Sequence, residues 1–372
     1  MSFSVNVGEL HRALEHIQTI RPTKKDGCAS HGVIIRAGGG AADIYASNGG
    51  RCFVIAPLPA AVDGECCVEA ATADLASAVE ILPRKGEVVV GLDRGRLSLA
   101  MHGAETAAIS AHACADPLRD GLVAQATVDA VVPATTLLET LDVARAYTRA
   151  RENWRDVHLN VILICGGVLT AMDGLSVLRA EVPWAQSWRM VLHRQDVTGV
   201  RVFLRLHRGE NIELLGHDRC FMIRTRQGAL YSVTHYPGRF APALAPQIRG
   251  QGWCEMDSGQ ASDAINRLWK TEPKPAKAAA HLQVDPDAGE LLMRRGRIVE
   301  RVALSAQEGM GWMSGRELEL PLEQCRKMLQ HSPSSTRLIF GYTLKMVLCS
   351  TAFTRSGTNF QVLIPGKLSP EP

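Results

Sequence analysis

Six times along its 372 residues the chain runs a short apolar stretch directly into an amphipathic segment. These segments open near Gly8, Thr72, Ala134, Gln195, Ser258 and Pro321, and successive openings lie 64, 62, 61, 63 and 63 residues apart. A fixed period of this length marks one supersecondary unit copied in tandem, and it restricts the chain to architectures built by joining copies. The apolar stretches, at residues 3–7, 66–69, 130–132, 190–192, 253–256 and 318–320, read as strands. Each amphipathic segment carries one apolar stripe at helical spacing: Leu10, Leu14 and Ile17; Leu75, Val79 and Leu82; Leu137, Leu138, Leu141 and Ala144; Val197, Val200 and Leu204; Ala264, Ile265 and Leu268; Leu322, Cys325 and Leu329.

After each helix come two or three strand-type runs separated by turn residues, such as 32–36 with 42–46 and 159–164 with 168–172. The Gly38–Gly40 run, the Asp93-Arg94-Gly95 corner and the Cys165-Gly166-Gly167 corner read as hairpin turns. The repeating unit is therefore β-α-β-β-β, an α+β arrangement with the helix on one face of an antiparallel sheet. About 60 residues bury too little surface to stand comfortably alone, so the six units are expected to form three domains of two units. The polar, proline-containing stretches 115–126 and 241–252 set the expected domains at 1–125, 126–250 and 251–372, with 272–278 as an exposed connector.

No apolar run approaches the length of a membrane span, and the N-terminus lacks the basic-then-apolar pattern of a secretory signal. The ten cysteines are scattered through strand- and helix-like segments of a long chain, which fits a reducing compartment and predicts a cytoplasmic protein. Residues 129–250 hold 15 basic residues, all arginines, against 11 acidic ones. Arg194, Arg201, Arg205 and Arg208 fall on one helical stripe, expected opposite Val197, Val200 and Leu204. Arg145 and Arg149 are expected as an i, i+4 pair on the third helix, with Arg151 just beyond. Two basic stripes on equivalent helices point to a polyanion held through its charge. Aromatic residues make up only 5% and do not interleave with the arginines, which argues against stacking on single-stranded bases.

Catalytic signatures are missing. There is no GxGxxG, P-loop, HExxH, GxSxG or CxxC pattern. Adjacent Cys66 and Cys67 point to opposite faces of a strand and cannot clasp one metal together. Asp173, in Ala171-Met172-Asp173-Gly174, reads as a turn former rather than a catalytic acid. The expectation is a protein without enzymatic activity, cofactor or metal.

The segment from Leu169 to Pro183, centred on Met172-Asp173-Gly174-Leu175-Ser176-Val177, resembles the strand–turn–strand signature of the bacterial DNA polymerase III β subunit, the sliding clamp, in which Ala-Thr-Asp-Gly-His-Arg-Leu is usual. Tyr236-Pro237-Gly238-Arg239-Phe240 is similar to that family's Gly-Arg-Phe-Pro element, Trp154–Asn160 to the strand before the signature turn, and Phe360–Pro365 to its closing strand. The opening Met1-Ser2-Phe3-Ser4-Val5 also fits, so the likeness runs from residue 1 to about 368. The resemblance implies the DNA clamp fold: three similar domains, helices lining a central hole, antiparallel sheets outside. It also implies a head-to-tail homodimeric ring, duplex DNA held through phosphates without sequence readout, and no enzymatic role. The DNA contacts would be Arg21, Lys24 and Lys25 in the loop after the first helix, together with Arg145, Arg149, Arg151, Arg194, Arg201 and Arg205.

The resemblance further implies a hydrophobic cleft that captures short peptide motifs from DNA polymerases and clamp-loader subunits. By position its lining here would be Leu159, Met172, Gly174, Leu175, Ser176, Val177, Val362, Ile364 and Pro365. Leu175 and Ser176 replace the usual His-Arg, and Ala241-Pro242-Ala243 lacks the usual polar and basic residues. These departures mark a divergent member, and the alternative they raise is a paralogue that regulates or interacts without tethering a polymerase to DNA.

Overall fold

A computed structural model describes all residues except 21–31, 49–51, 63, 94, 116–125, 151–157, 218–219, 237–248, 271–277, 333, 343–346 and 369–372. The expected connector at 272–278 and most of the two expected domain boundaries lie outside the described residues. Six repeats of strand, helix and three strands follow one another, and no repeat departs from that order. The helices are α1 (Val7–Ile17), α2 (Thr72–Glu80), α3 (Ala134–Ala146), α4 (Arg194–Leu206), α5 (Ser258–Lys270) and α6 (Leu322–His331). Their starts match the sequence period to within one residue. α1 begins one residue early because Asn6 caps it, its side chain accepting the Gly8 N–H at 2.8 Å. α5 is capped in the same way by Asp257, which accepts the Gln260 N–H at 2.7 Å.

Every residue of the six predicted apolar stripes is buried, from Leu10 to Leu329. Full burial of a leucine, valine or isoleucine side chain contributes about 1.5–3 kcal/mol. The strands supply the opposing surface by alternation: Gly32–Gly38 and Ala279–Asp285 bury every second residue. Val161–Cys165, paired on both sides, is buried on both faces and reads as a continuous apolar run.

The chain forms two compact units, Met1–Leu138 with Gln195–Pro237 and Glu139–Arg194 with Gly238–Pro372. Each contains one 12-stranded sheet. The strand entering each helix joins the second strand of a neighbouring repeat. Ser2–Asn6 pairs with Glu87–Asp93 while Cys66–Ala71 pairs with Gly32–Gly38, a reciprocal exchange between repeats one and two. Repeats five and six make the same exchange through Arg249–Asp257 with Ser335–Tyr342 and Leu318–Pro321 with Ala279–Asp285. Repeats three and four follow the rule as well: Thr127–Pro133 pairs with Asn211–His217 in the first unit, and Arg189–His193 with Val161–Cys165 in the second.

Among the described residues, the strands Ser2–Asn6, Thr127–Pro133 and Arg189–His193 end the sheet orders and pair on one side only, and each unit also holds a long strand whose second-side pairing covers only part of its length. In Ala104–Ala113, residues 104–110 pair with strand Arg96–Met101, and only 111–113 pair on the other side. In Ile298–Glu308, residues 298–303 pair with strand Glu290–Arg295, and only 304–308 meet Arg249–Asp257. Among the described residues, 104–110 and 298–303 thus present free edges.

In the first unit, α1 meets α4 through rings. His16 stacks on His207 with centroids 5.0 Å apart and 5° between planes, and Phe203 packs against both. The two Nε2 atoms lie 2.9 Å apart, so one must carry hydrogen and the other accept it. Glu210 holds the far side of His207, its Oε2 3.2 Å from Nδ1. Burial, then His207 and Arg12, lowers the pKa of His16 to about 4, and burial lowers that of His207 against the opposing pull of Glu210. On α4, Gly199 provides room for the buried Tyr231 hydroxyl, which a Cβ at that position would meet head-on.

Because His16 titrates near 6.5 when unfolded and about 4 when folded, the unfolded chain binds more protons between those values. Its contribution, on the order of 1–3 kcal/mol, is complete above the unfolded value and is lost on acidification through that window. Urea unfolding across this range should show stability falling with pH, and His16→Gln should flatten the slope relative to the parent chain.

Candidate nucleic-acid interface and peptide cleft

The arginines singled out from the sequence divide into two sets of different character. In the first unit, Arg205 on α4 and Arg208 just beyond it are exposed, and neither forms an ion pair with a described residue. Arg201 is half-buried. The stripe lies beside the buried face of Val197, Val200, Phe203 and Leu204 rather than opposite it, because steps of roughly 100° per residue carry the arginines only about a third of a turn away. The expectation of an opposed stripe is corrected accordingly.

In the second unit the arginines surround the end of α3. Arg194 Nη1 donates to the carbonyl oxygens of Arg145 and Thr148, both at 2.6 Å, and to Thr148 Oγ1 at 2.8 Å. A cation on the carbonyls that end a helix satisfies acceptors with no intrahelical partner and complements the helix dipole. Arg194 therefore helps terminate α3 and leaves the exposed set in which the sequence grouped it. The expected helical pair of Arg145 and Arg149 is also corrected, since α3 ends at Ala146. The Arg149 N–H donates to the Leu159 carbonyl at 2.7 Å, its own carbonyl accepts from Asn160 Nδ2 at 2.8 Å, and its guanidinium reaches Gly174. Arg21, Lys24, Lys25 and Arg151 lie outside the described residues.

The turn at Met172–Val177 joins strands Val168–Met172 and Val177–Glu181 and is organised by the buried Asp173, a turn former as its sequence context predicts. Its Oδ1 accepts the N–H groups of Leu175 and Ser176 at 3.0 and 2.9 Å, and its Oδ2 accepts from Lys327 Nζ on α6 at 3.0 Å. Ser176 Oγ lies 3.0 Å from both Asp173 Oδ1 and Gln324 Oε1. Gly174 has a positive φ of +91°, and a Cβ there would press on Leu159 at 3.3 Å and Arg149 at 3.4 Å. Leu175 at the apex is 47% exposed. Beneath the turn, Tyr147 is fully buried, its hydroxyl has no hydrogen-bond partner among the described residues, and its pKa is raised first by burial and then by the Asp173 charge.

Register separates the remaining cleft residues. Met172 lies opposite Val177, and Val177 opposite Leu363, so these three share one face of the sheet. Val362 lies opposite Leu178, and Val362 and Ile364 occupy the other face, where both are fully buried. Leu159, Gly174 and Arg149 meet at the turn, whereas Val177 does not share a surface with Val362 and Ile364. Pro365, opposite Leu348, continues on the Leu363 face. Lys327 and Gln324 carry no sequence signal for this site, because they lie 154 and 148 residues from the groups they hold.

No protein family model matches this sequence, and no curated protein does. Solved structures match throughout. The β subunit of the DNA polymerase of Streptococcus pyogenes superposes with a TM-score of 0.78 at 11% identity, covering 99% of this chain and 100% of that one. The DNA polymerase III β subunit of Thermotoga maritima gives 0.74 at 14% identity with the same coverage. The Caulobacter crescentus pol III β structure gives 0.76 at 17% identity, covering 98% of this chain and 99% of the other. The chain thus has the DNA clamp fold along its whole length. Among the described residues, no helix is long and apolar enough to cross a membrane.

Replacing Arg194 by alanine leaves three acceptors at the end of α3 without their cation and should cost about 1–3 kcal/mol of stability in chemical denaturation. Arg205→Ala, at an exposed position, should stay within about 0.5 kcal/mol of the parent.

Proposed function

We propose that this chain is a DNA sliding clamp, a non-enzymatic processivity factor that encircles duplex DNA and tethers a DNA polymerase. The observation that carries the reading is fold agreement over 99% of this chain and 100% of a DNA polymerase III β subunit. The reciprocal strand exchange supports pairing the repeats into three domains, at 1–125, 126–250 and 251–372. Exposed Arg205 and Arg208 are suited to phosphates because no described carboxylate pairs with either, and Arg201 lies on the same stripe. Arg21, Lys24, Lys25 and Arg151 would add further phosphate contacts.

Closure of the ring would be head-to-tail, joining the first domain of one copy to the third domain of the other. The free edges at 104–110 and 298–303 support it: each offers unpaired backbone groups, and two different edges suit a heterologous contact. Polymerase and clamp-loader peptides would dock at the Met172–Val177 turn, where exposed Leu175 supplies an apolar handle beside Leu159 and Arg149. The replacement of His-Arg by Leu175 and Ser176 favours a more apolar partner motif than the usual one.

Retention on DNA tests the function. Loaded on a nicked circle, the protein should stay bound through a high-salt wash, and linearising the circle should release it. Equal retention on both forms would overturn tethering and favour the non-tethering paralogue. Arg201→Glu with Arg205→Glu should reduce the salt slope of DNA association by roughly two without altering the oligomer. In sedimentation, the chain should run at twice its 40.3 kDa mass at micromolar concentration, and a monomer there would overturn the ring.

A further inference from the structure

We propose that Cys67 and Cys114 form a reversible disulfide, a redox-modification site on the first unit. Cys67 lies on strand Cys66–Ala71, and Cys114 follows strand Ala104–Ala113. Their sulfur atoms are 3.3 Å apart although 47 residues separate them in sequence. The geometry follows from the ladder. Val68 pairs with Ala113 and Glu69 with His112, and the Cys114 N–H donates to the Cys67 carbonyl at 3.1 Å, so the register carries through to place the two cysteines opposite each other. Opposite residues project from the same sheet face, with Cα atoms about 5.5 Å apart in a hydrogen-bonded pair, inside the range a disulfide spans. The same row continues through Arg36, opposite Cys67, to Asp43, which binds the Arg36 guanidinium.

Access separates this pair from the buried thiols, and proximity separates it from half-exposed Cys66 and Cys165. Cys67 and Cys114 are both half-exposed, within reach of a small oxidant. Cys254 and Cys325 are buried, and burial pushes each thiol up to about 12; Cys349 is raised by burial and by those two neighbours. They serve as apolar packing. Cys66 provides an internal comparison: it is half-exposed and adjacent to Cys67, yet alternation turns it to the opposite face, away from Cys114.

The oxidant is a peroxide. One thiol breaks the O–O bond, takes one oxygen as a sulfenic acid and releases the other as water. The second thiol then displaces the hydroxyl as a second water and closes the S–S bond. The sulfur pair loses two electrons and two hydrogens, and both peroxide oxygens are reduced. A dithiol reductant returns the electrons and hydrogens and reopens the bond.

The test treats the full chain with hydrogen peroxide, alkylates remaining thiols and maps the peptides by mass. A cross-linked peptide joining Cys67 to Cys114, reopened by dithiothreitol, is expected. Cys67→Ser and Cys114→Ser should each abolish it, and Cys66→Ser should leave it intact. Oxidised protein should also show slower amide exchange at residues 111–114. A Cys66–Cys114 or intermolecular link, or over-oxidation of Cys67 with Cys114 left free, would overturn the proposal. The map of the unsubstituted chain decides even where a serine variant fails to fold.

Discussion

The structure depends on an exchange of strands. In each repeat the strand that leads into the helix hydrogen-bonds to the second strand of its neighbour, so no repeat completes its own sheet. A single repeat would expose both the edge of its sheet and the apolar stripe of its helix. Exchange covers one edge of each repeat's sheet with its neighbour's strand and so joins the two repeats into one continuous ladder.

The exchange covers some edges within a pair and leaves others, among them two on long strands. Residues 104–110 and 298–303 lie on strands that are paired on both sides over only part of their length. Exposed backbone donors and acceptors in a stable sheet invite another chain. The half-exposed thiols of Cys67 and Cys114 sit where the first of these strands regains its second partner.

Charge shows how one residue type divides by its surroundings. Arg205 and Arg208 keep their charge at the surface, while Arg194, on the same helical stripe, spends its hydrogen bonds on the carbonyls ending α3. Sequence spacing groups the three, because it reports direction around a helix axis and not what waits there. The Asp173 turn is a parallel case. The Asx geometry is local and legible from Met172-Asp173-Gly174, but Lys327 and Gln324 come from a helix far along the chain.

Repetition, helical stripes and strand alternation are local properties of side-chain order, and they were sufficient to specify six β-α-β-β-β repeats and every buried stripe residue. The likeness of the 169–183 segment to the clamp signature was legible for the same reason, since a turn records its conformation in the residues that form it. Pairing across repeats, the division of the cleft residues between two sheet faces, the capture of Arg194 and the approach of Cys67 to Cys114 were decided by tertiary structure. Each depends on register between strands or helices distant in sequence, and shifting a strand by one residue would turn every one of its side chains to the other face without altering its composition.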